Sequence, residues 1–284
     1  MNKRISPLVT IAIPIYNAER FLIDAIQSVV NQTYKDWILY LINDGSTDKS
    51  IDIMREFATY DNRIKIIDDG LNKGLITRLN QSIAMTDSKF YARMDADDIM
   101  SVTRIEEQVQ FLESHPEIDV LGTSIMTIDN HNNIIGSGGV SGKVQGFIHP
   151  TIMGRTEWFK NNTYSEWAVR AEDKELWCRT VSKSNFWALD KPLLFYREFG
   201  VPTLRKTLMT QKTLLKIFLR YKQYKKSWIW AIKNIILVII KMCTYIFFAM
   251  IGNIEFIVRR RSRKPVPGLL CLSEKDLFLA IHKE

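Results

Sequence analysis

Over residues 9–94 the chain alternates short β-rich runs with segments of helical periodicity, and this alternation constrains the fold more than any other feature. The β-rich runs are residues 9–13, 37–42, 63–67 and 90–94, and apolar residues in the segments between them lie three and four positions apart. Strands that are separated by single helices form a parallel sheet with right-handed crossovers. We therefore expect an α/β domain whose functional groups lie at the carboxyl ends of the strands.

The composition is that of a globular protein. With 46% hydrophobic and 25% charged residues over 284 positions, the chain falls outside the ranges of disordered, collagen-like and disulfide-scaffold proteins. Its three cysteines, Cys178, Cys243 and Cys271, lack CxxC spacing, which argues against a disulfide framework and a structural zinc site. The first residues contain no apolar stretch of signal-peptide type, so we expect a location in the reducing cytoplasm.

Beyond Asp98 the pattern is less regular. Residues 104–114 and 171–183 are predicted to be helical, residues 120–128 to be extended, and residues 185–197 to form two short strands. Five of the eleven residues in 136–146 are glycine, which predicts a flexible loop beside the ligand.

The first strand ends in Ile-Pro-Ile-Tyr-Asn, residues 13–17. Pro14 is expected to stop the strand ladder because proline has no N–H to donate. Tyr16 then lies on the following loop, where it either stacks on a nucleobase or packs as a core aromatic residue.

The second strand ends in Asn-Asp-Gly-Ser-Thr-Asp, residues 43–48. Gly45 allows a tight turn, and Ser46 or Thr47 is expected to cap the next helix. Asp44 is placed to accept a hydrogen bond from N3 of a uracil, although turns of this composition are common and do not identify a site alone.

The strongest single signal is Met-Asp-Ala-Asp-Asp at residues 94–98. Asp95 and Asp97 point to the same side of an extended segment, and adjacent carboxylates raise one another's pKa unless a cation lies between them. Mg²⁺ or Mn²⁺ suits such oxygen ligands, and a solvated acidic turn is the alternative. A second acidic pair, Glu172 and Asp173, lies at the start of a predicted helix. The general preference for acidic residues at helix N-termini is an alternative explanation for this pair.

Taken in order, the motifs IPIYN, NDGSTD, MDADD and AEDKELWCR resemble those of the family 2 glycosyltransferases, which are nucleotide-sugar enzymes of the GT-A fold. The segments at residues 71–80 and 149–150 are similar to the family's NxGLxxxRN and HP elements. The resemblance covers about residues 8–198. One departure is Asn43, where the family usually has an aspartate, whereas Asp44 is retained.

The resemblance implies a role for each matched residue. The nucleobase would be framed by Pro14, Tyr16 and Asp44, and the ribose and diphosphate would lie near Arg78 and Asp95. Asp97 would hold the Mn²⁺ or Mg²⁺ ion, and Asp173 would be the general base. Direct displacement with a single base implies inversion at the anomeric carbon.

The charge is divided unevenly along the chain. Residues 1–204 carry 22 Lys and Arg against 27 Asp and Glu, whereas residues 205–284 carry 17 against 4. We therefore expect a GT-A domain over 1–204 and a basic, helical, membrane-associating tail over 205–284. A basic tail indicates an anionic partner, either lipid or nucleic acid, and the apolar residues described next favour lipid.

Residues 227–258 are mostly apolar, but their longest uncharged run, 242–254, has 13 residues, below the roughly 20 needed to cross a bilayer. Polar residues recur at seven or eight positions along this segment and predict one stripe on a helix: Lys226, Lys233, Asn234 and Lys241. We expect a pair of amphipathic helices lying in the cytoplasmic interface, with the following aromatic residues submerged: Trp228, Trp230, Tyr245, Phe247 and Phe248. A spanning segment or re-entrant hairpin and a buried core helix are the alternatives.

The leading functional hypothesis is an inverting glycosyltransferase at the cytoplasmic face of the inner membrane that uses a nucleotide-sugar, expected to be a UDP-sugar, and a lipid-linked or surface-polysaccharide acceptor. A nucleotide-sugar pyrophosphorylase is disfavoured because residues 8–20 contain no glycine, and a dinucleotide oxidoreductase because no GxGxxG follows the first strand. A non-catalytic membrane-bound scaffold that retains the fold is the remaining alternative. Neither the sugar nor the acceptor can be identified from the chain.

Overall fold

The computed structural model describes residues 8–139, 141–198, 200, 203–221, 228–252 and 272–282. Ten strands are described, namely β1 (Val9–Ile15), β2 (Trp37–Asn43), β3 (Ile64–Ile67), β4 (Phe90–Arg93), β5 (Ile99–Met100), β6 (Val120–Ile128), β7 (Ile134–Gly138), β8 (Gly142–Lys143), β9 (Met153–Arg155) and β10 (Phe186–Arg197). The described α-helices are α1 (Leu22–Val30), α2 (Ser50–Tyr60), α3 (Leu75–Ala84), α4 (Arg104–Ser114), α5 (Thr156–Asn161), α6 (Glu172–Thr180), α7 (Leu204–Arg220), α8 (Trp228–Met250) and α9 (Glu274–Ile281).

The strands form one sheet in the order β3-β2-β1-β4-β9-β6-β10-β5, with β7 added to β6 and β8 to β10. The first four strands are parallel, and so are β6 and β10, whereas β9 runs antiparallel to both of its neighbours. The mostly parallel α/β sheet expected from the alternating sequence is thus confirmed. The chain moves outward from β1 to β3 and returns to β4 on the other side of β1, so β1 and β4 flank a topological switch point, where ligands bind in open α/β sheets.

Apolar side chains cover both faces of the sheet. On one face the core includes Ala25 of α1, Met54 of α2 and Ile105 of α4. On the other face it includes Leu79 of α3 and Trp177 of α6. This three-layer packing holds the carboxyl ends of β1, β2 and β4 side by side.

Pro14 does not stop the ladder between β1 and β2, contrary to the sequence-based expectation. The two strands remain paired through Pro14 and Ile15, because alternate residues of a strand face alternate neighbours. The Ile15 carbonyl accepts from Asp44 N on the β2 side, and the Ala12 carbonyl accepts from Met94 N on the β4 side. Pro14 therefore faces the β4 side beyond the last β1–β4 pair, where its missing N–H breaks no ladder bond.

Two further expectations for the second half were wrong. Residues 186–197 form one strand with register shifts near Pro192 rather than two short strands. The glycine-rich segment contains β7 and β8 rather than forming only a loop. Gly139 approaches Ser124 so closely that a side chain would not fit, which shows that this glycine serves close packing.

The C-terminal elements pack on the α/β body at two places. Ile217 of α7 and Val238 of α8 join a cluster with Ala171 and Cys178 at α6. Helix α9 packs with Leu277 against β5 and β6, and Asn31 of α1 donates to its last carbonyl groups. Helix α9 thus contacts the α/β body although it lies beyond residue 204 in the chain.

Helix α8 is continuous over 23 residues, so the described part of 227–258 is one helix and not the expected pair. The helix that contacts α8 is α7, which precedes this segment. By length and composition α8 could cross a membrane. Ala231, Val238 and Tyr245 form its buried face, so Tyr245 is covered by protein and the expectation that it is submerged in lipid was wrong. Lys226 lies outside the described residues.

Candidate active site

Two adjoining cavities open at the carboxyl ends of β1 and β4. We call the larger, of about 820 Å³, the central cavity; its lining includes Arg93, Asp95, His149 and Asp173. The second, of about 690 Å³, is the β1-loop cavity and is lined by the loop that follows β1 together with Asp97. Arg93 and Asp95 line both cavities, so they mark the junction of one continuous cleft.

The acids that follow β4 are brought together as expected. Carboxylate oxygens of Asp95, Asp97 and Asp98 lie within 4.8 Å of one another. Burial and the neighbouring Asp95 raise the pKa of Asp97 to about 6, and burial together with Asp95 and Asp97 raises the pKa of Asp98 well above its usual value. One Asp98 oxygen accepts from Arg197 N at 2.9 Å, while no described residue donates a hydrogen bond to the other, which is buried. Three carboxylates this close together, one buried and two partly exposed, fit a hard divalent cation.

Arg93 is a residue of the site that the sequence reasoning missed. It ends β4, is buried, and its guanidinium lies 2.6 Å from Asp95. Within the described part of the chain its buried Nε has no hydrogen-bond partner, although the guanidinium is close enough to Asp95 and Glu172 to interact with both charges. The available signal was a basic residue at the end of an otherwise apolar strand, because a buried cation there requires acidic partners.

The predicted base lies in the first turn of α6. Burial raises the pKa of Asp173, and burial with the neighbouring Asp173 raises that of Glu172. Asp173 Oδ1 accepts from Lys174 N at 2.6 Å. A carboxylate with a raised pKa is a better proton acceptor than an ordinary aspartate, so Asp173 suits a general base.

His149 lies beside Glu172 but forms no ion pair with it. The two side chains are 3.9 Å apart, and burial lowers the pKa of His149 well below its usual value, so the imidazole is neutral. Its Nε2 lies 2.7 Å from the Tyr164 hydroxyl. The His-Pro element is thus a buried hydrogen-bonded support beneath the central cavity.

Asp44 and Arg78 form a buried ion pair behind the cleft and line neither cavity. Arg78 Nε donates to Asp44 at 3.0 Å, and its terminal nitrogens donate to Asp69 and Leu71 O. Asp44 also accepts from the backbone of Lys73 and Gly74. Together these contacts hold the loop that precedes α3.

Pro14 and Tyr16 line the β1-loop cavity. Tyr16 is 56% exposed, so its core-aromatic alternative is excluded. Neither Ser46 nor Thr47 caps α2; instead Asp48 accepts from Ser50 N at the start of that helix, and Ser46 accepts from Asn17 N. The two loops at this edge are therefore tied to one another.

The glycosyl transferase family 2 model matches residues 10–168 of the chain, a segment that contains the β1 loop, Asp44 and the β4 acids. The chain belongs to this family. Among curated proteins, putative glycosyltransferase EpsE of Bacillus subtilis is 36% identical over 184 residues, which are 61% of this chain and 66% of EpsE. The chain thus spans slightly less than two thirds of that relative.

Solved structures share the fold at low sequence identity. S. aureus TarS 1-349 in complex with UDP-GlcNAc matches with a TM-score of 0.62 at 17% identity, over 74% of this chain and 65% of that one. Mannosyltransferase PcManGT from Pyrobaculum calidifontis, in complex with GDP-Man and Mn²⁺, matches with a TM-score of 0.57 at 13% identity, over 85% and 76%. The GT-A architecture expected for a family 2 glycosyltransferase is confirmed.

Proposed function

We propose that the protein is an inverting glycosyltransferase that moves a sugar from a nucleotide-sugar, most simply a UDP-sugar, to a hydroxyl of a lipid-linked or surface-polysaccharide acceptor. The observation that carries this proposal is that Asp95 of the β4 acids and Asp173 of α6 line the same central cavity. A donor diphosphate held at the acids would place its sugar in this cavity, within reach of a base on the opposite wall.

On the donor side, Pro14 and Tyr16 border the space for the nucleobase, and Tyr16 offers an exposed ring for stacking. Asp44 supports this edge through the loop before α3, and its second carboxylate oxygen accepts only from Gly74 among the described residues. Asp97, with Asp95 beside it, would hold Mn²⁺ or Mg²⁺. A bound divalent ion neutralises the charge that develops on the departing diphosphate.

On the acceptor side, Asp173 removes the proton from the acceptor hydroxyl as its oxygen forms a bond to the anomeric carbon. The bond from that carbon to the diphosphate oxygen breaks, and the electron pair leaves with the nucleoside diphosphate. A single displacement inverts the configuration, so an α-linked donor gives a β-linked product.

Membrane association follows from α8 in this proposal. Its outward face exposes Ile229, Ile232, Ile236, Phe247 and Met250, each at least half exposed. An apolar face of this size in a basic tail favours the anionic cytoplasmic surface of a membrane. A lipid-linked acceptor would be available at the same surface.

Turnover of nucleotide-sugars with and without Mn²⁺ tests the proposal. We expect release of nucleoside diphosphate that requires the cation and increases when membranes carrying an acceptor are added. If every UDP- and GDP-sugar tested remained intact under both conditions, a non-catalytic scaffold would be the better account.

A further inference from the structure

A third cavity, the outer cavity, lies on the far side of the base. It has a volume of about 530 Å³ and shares Asp173 and Phe147 with the central cavity, but none of the donor-side motif residues line it. We propose that the outer cavity is the acceptor subsite and that it takes a saccharide joined to a phosphate-bearing lipid carrier. This inference rests on the proposed glycosyl transfer and names its second substrate.

The position of Asp173 supports an acceptor here. The residue lies on the wall between the two cavities, so its carboxylate can be reached from both sides. In a single displacement the attacking hydroxyl approaches from the side opposite the leaving diphosphate and contacts the base at the same time. The β4 acids lie on the central side, which leaves the outer side for the acceptor.

The lining of the outer cavity suits a sugar. Phe147 and Trp177 meet edge to face with ring centroids 5.1 Å apart, and the buried Trp177 Nε1 has no hydrogen-bond partner among the described residues. A side chain at Gly146 would come within 3.0 Å of the indole, so the glycine leaves the Trp177 side of the cavity open. Apolar rings with a few polar groups beside them are typical of small-molecule sites.

The charge of the lining indicates an anionic substituent. Lys143 of β8 and Lys174 of α6 are exposed and line the cavity, and Asp173 is the one acidic residue among the described residues that do so. Lysine binds phosphate as a flexible point charge and does not require a fixed bidentate geometry. The two lysines would therefore meet a phosphate group on the acceptor.

The neighbouring helices indicate that the phosphate belongs to a lipid. Helix α6 presents Asp173, Lys174 and Trp177 to the outer cavity, whereas its Cys178 packs in the cluster that contains Val238 of α8. Helix α7 contacts both α6 and α8, so the three helices pack as one group and the outer cavity lies beside that group. A carrier whose chain lies in the membrane beside α8 can present its head group to this cavity.

The experiment measures two reactions of the full-length protein in neutral detergent micelles. One is hydrolysis of the nucleotide-sugar by water, and the other is transfer of labelled sugar to lipid extracted from the organism that encodes the protein. We expect the double variant Lys143→Ala and Lys174→Ala to need about tenfold more lipid extract for half-maximal transfer. Hydrolysis should change far less than transfer, and it need not be constant because the Lys174 charge also acts on the pKa of Asp173. The conservative pair Lys143→Arg and Lys174→Arg should retain transfer.

Matched substitutions control for the loss of two positive charges. Lys65→Ala with Lys183→Ala removes two exposed lysines outside the outer cavity and should leave both reactions unchanged. Equal transfer by the two alanine pairs, or a parallel loss of hydrolysis and transfer in the cavity pair, would overturn the acceptor subsite. If the unmodified protein hydrolysed the nucleotide-sugar but transferred no sugar to the lipid extract, a lipid-linked acceptor would be excluded. If it neither hydrolysed nor bound the donor, the proposed function itself would be contradicted.

Discussion

At the scale of single residues, the fold holds the acids of the site so close together that ionisation of Asp97 is unfavourable. The pKa of Asp97 is about 6 in the folded chain against an ordinary value of 3.8. Its ionisation therefore costs folding free energy, and this cost grows as the pH rises from about 4 to about 6 and persists above that range. A divalent cation removes the cost, which links metal binding to stability.

The variant Asp97→Asn tests whether the ionised Asp97 carboxylate destabilises the fold when no divalent cation is bound. With a chelator at pH 8, we expect the variant to have a higher Tm than the unmodified protein, by about 2 to 4 °C, because one repelling charge is gone. Exposed Asp87 lies at the other end of β4, and Asp87→Asn should leave the Tm unchanged. A lower Tm for Asp97→Asn in the chelator would show that the negative charges of the acids are already compensated by other groups when no cation is bound.

Asp173→Asn tests the base. We expect kcat to fall at least ~10²-fold with little change in donor affinity, which is the usual contribution of a positioned base. In the unmodified protein kcat should decline as the pH falls through the raised pKa of Asp173, and this decline should be absent from the residual activity of the variant. Glu172→Gln is the matched control, and if it were the more damaging change the role would belong to Glu172.

The sequence predicted which acids lie close together but not which groups compensate their negative charge. Asp95 and Asp97 lie together as the sequence predicted, but residues 96 and 97 form a turn rather than the extended segment from which the prediction was made. The hydrogen bond from Arg197 N to Asp98 joins β10 to residues that are distant in sequence, and no local pattern encodes such a pair. For the same reason the burial of Arg78 behind the cleft was not foreseen. Arg93, in contrast, lies two residues from Asp95, and its position at the end of an apolar strand was a local signal that the sequence reasoning did not use.

At the scale of elements, the Asp44–Arg78 pair determines how the loop before α3 is held. Arg78→Met leaves the buried Asp44 without its cation, so we expect a loss of about 3 kcal/mol in the free energy of unfolding. Lys73→Met removes an ion pair with Asp69 that is more exposed than the Arg78–Asp44 pair. We expect it to lower the free energy of unfolding by less than about 1 kcal/mol. Denaturant titration distinguishes the two, and equal effects would show that the buried pair contributes no more than a surface ion pair.

The same variant tests the role that the family resemblance implies for Arg78. If the residue acts only through the loop, UDP should bind to the folded variant with nearly unchanged affinity, as measured by calorimetry well below its Tm. A tenfold weaker affinity would instead support direct contact with the ribose or diphosphate.

Elements with strong local periodicity were predicted closely, and those shaped by distant contacts were not. Helix α4 has the predicted bounds because its apolar spacing and its ends are encoded locally. The β10 strand remains one element because β6 pairs with it on both sides of Pro192, and β7 forms because it pairs antiparallel with β6. Pairing partners of this kind cannot be read from the segment itself.

At the scale of the whole molecule, α8 lies between two attachments to the α/β body. Before it, α7 packs on α6, and after it, α9 packs on β5 and β6 and is bonded to α1. A single crossing by α8 would leave α9 on the wrong side of the membrane, and the return would have to carry the basic residues of 259–264 through the bilayer. We therefore expect α8 to lie in the interface.

Single cysteines placed in 222–226 and in 259–264 test this topology. In sealed membrane vesicles of known orientation, both should react with an impermeant thiol reagent from the cytoplasmic side. All three native cysteines, Cys178, Cys243 and Cys271, are first replaced so that only the introduced thiol is labelled. Protection of one flank and not the other would establish a span and exclude the interfacial arrangement.

Cation-dependent donor binding tests the central claim most directly. Calorimetric titration of the unmodified protein with UDP should show binding in Mn²⁺ that is lost in chelator, and Asp97→Asn should lack the Mn²⁺-dependent part while keeping the native fold. Undiminished Mn²⁺-dependent binding of UDP by Asp97→Asn would contradict the assignment of the β4 acids as the cation site on which the proposed transfer depends.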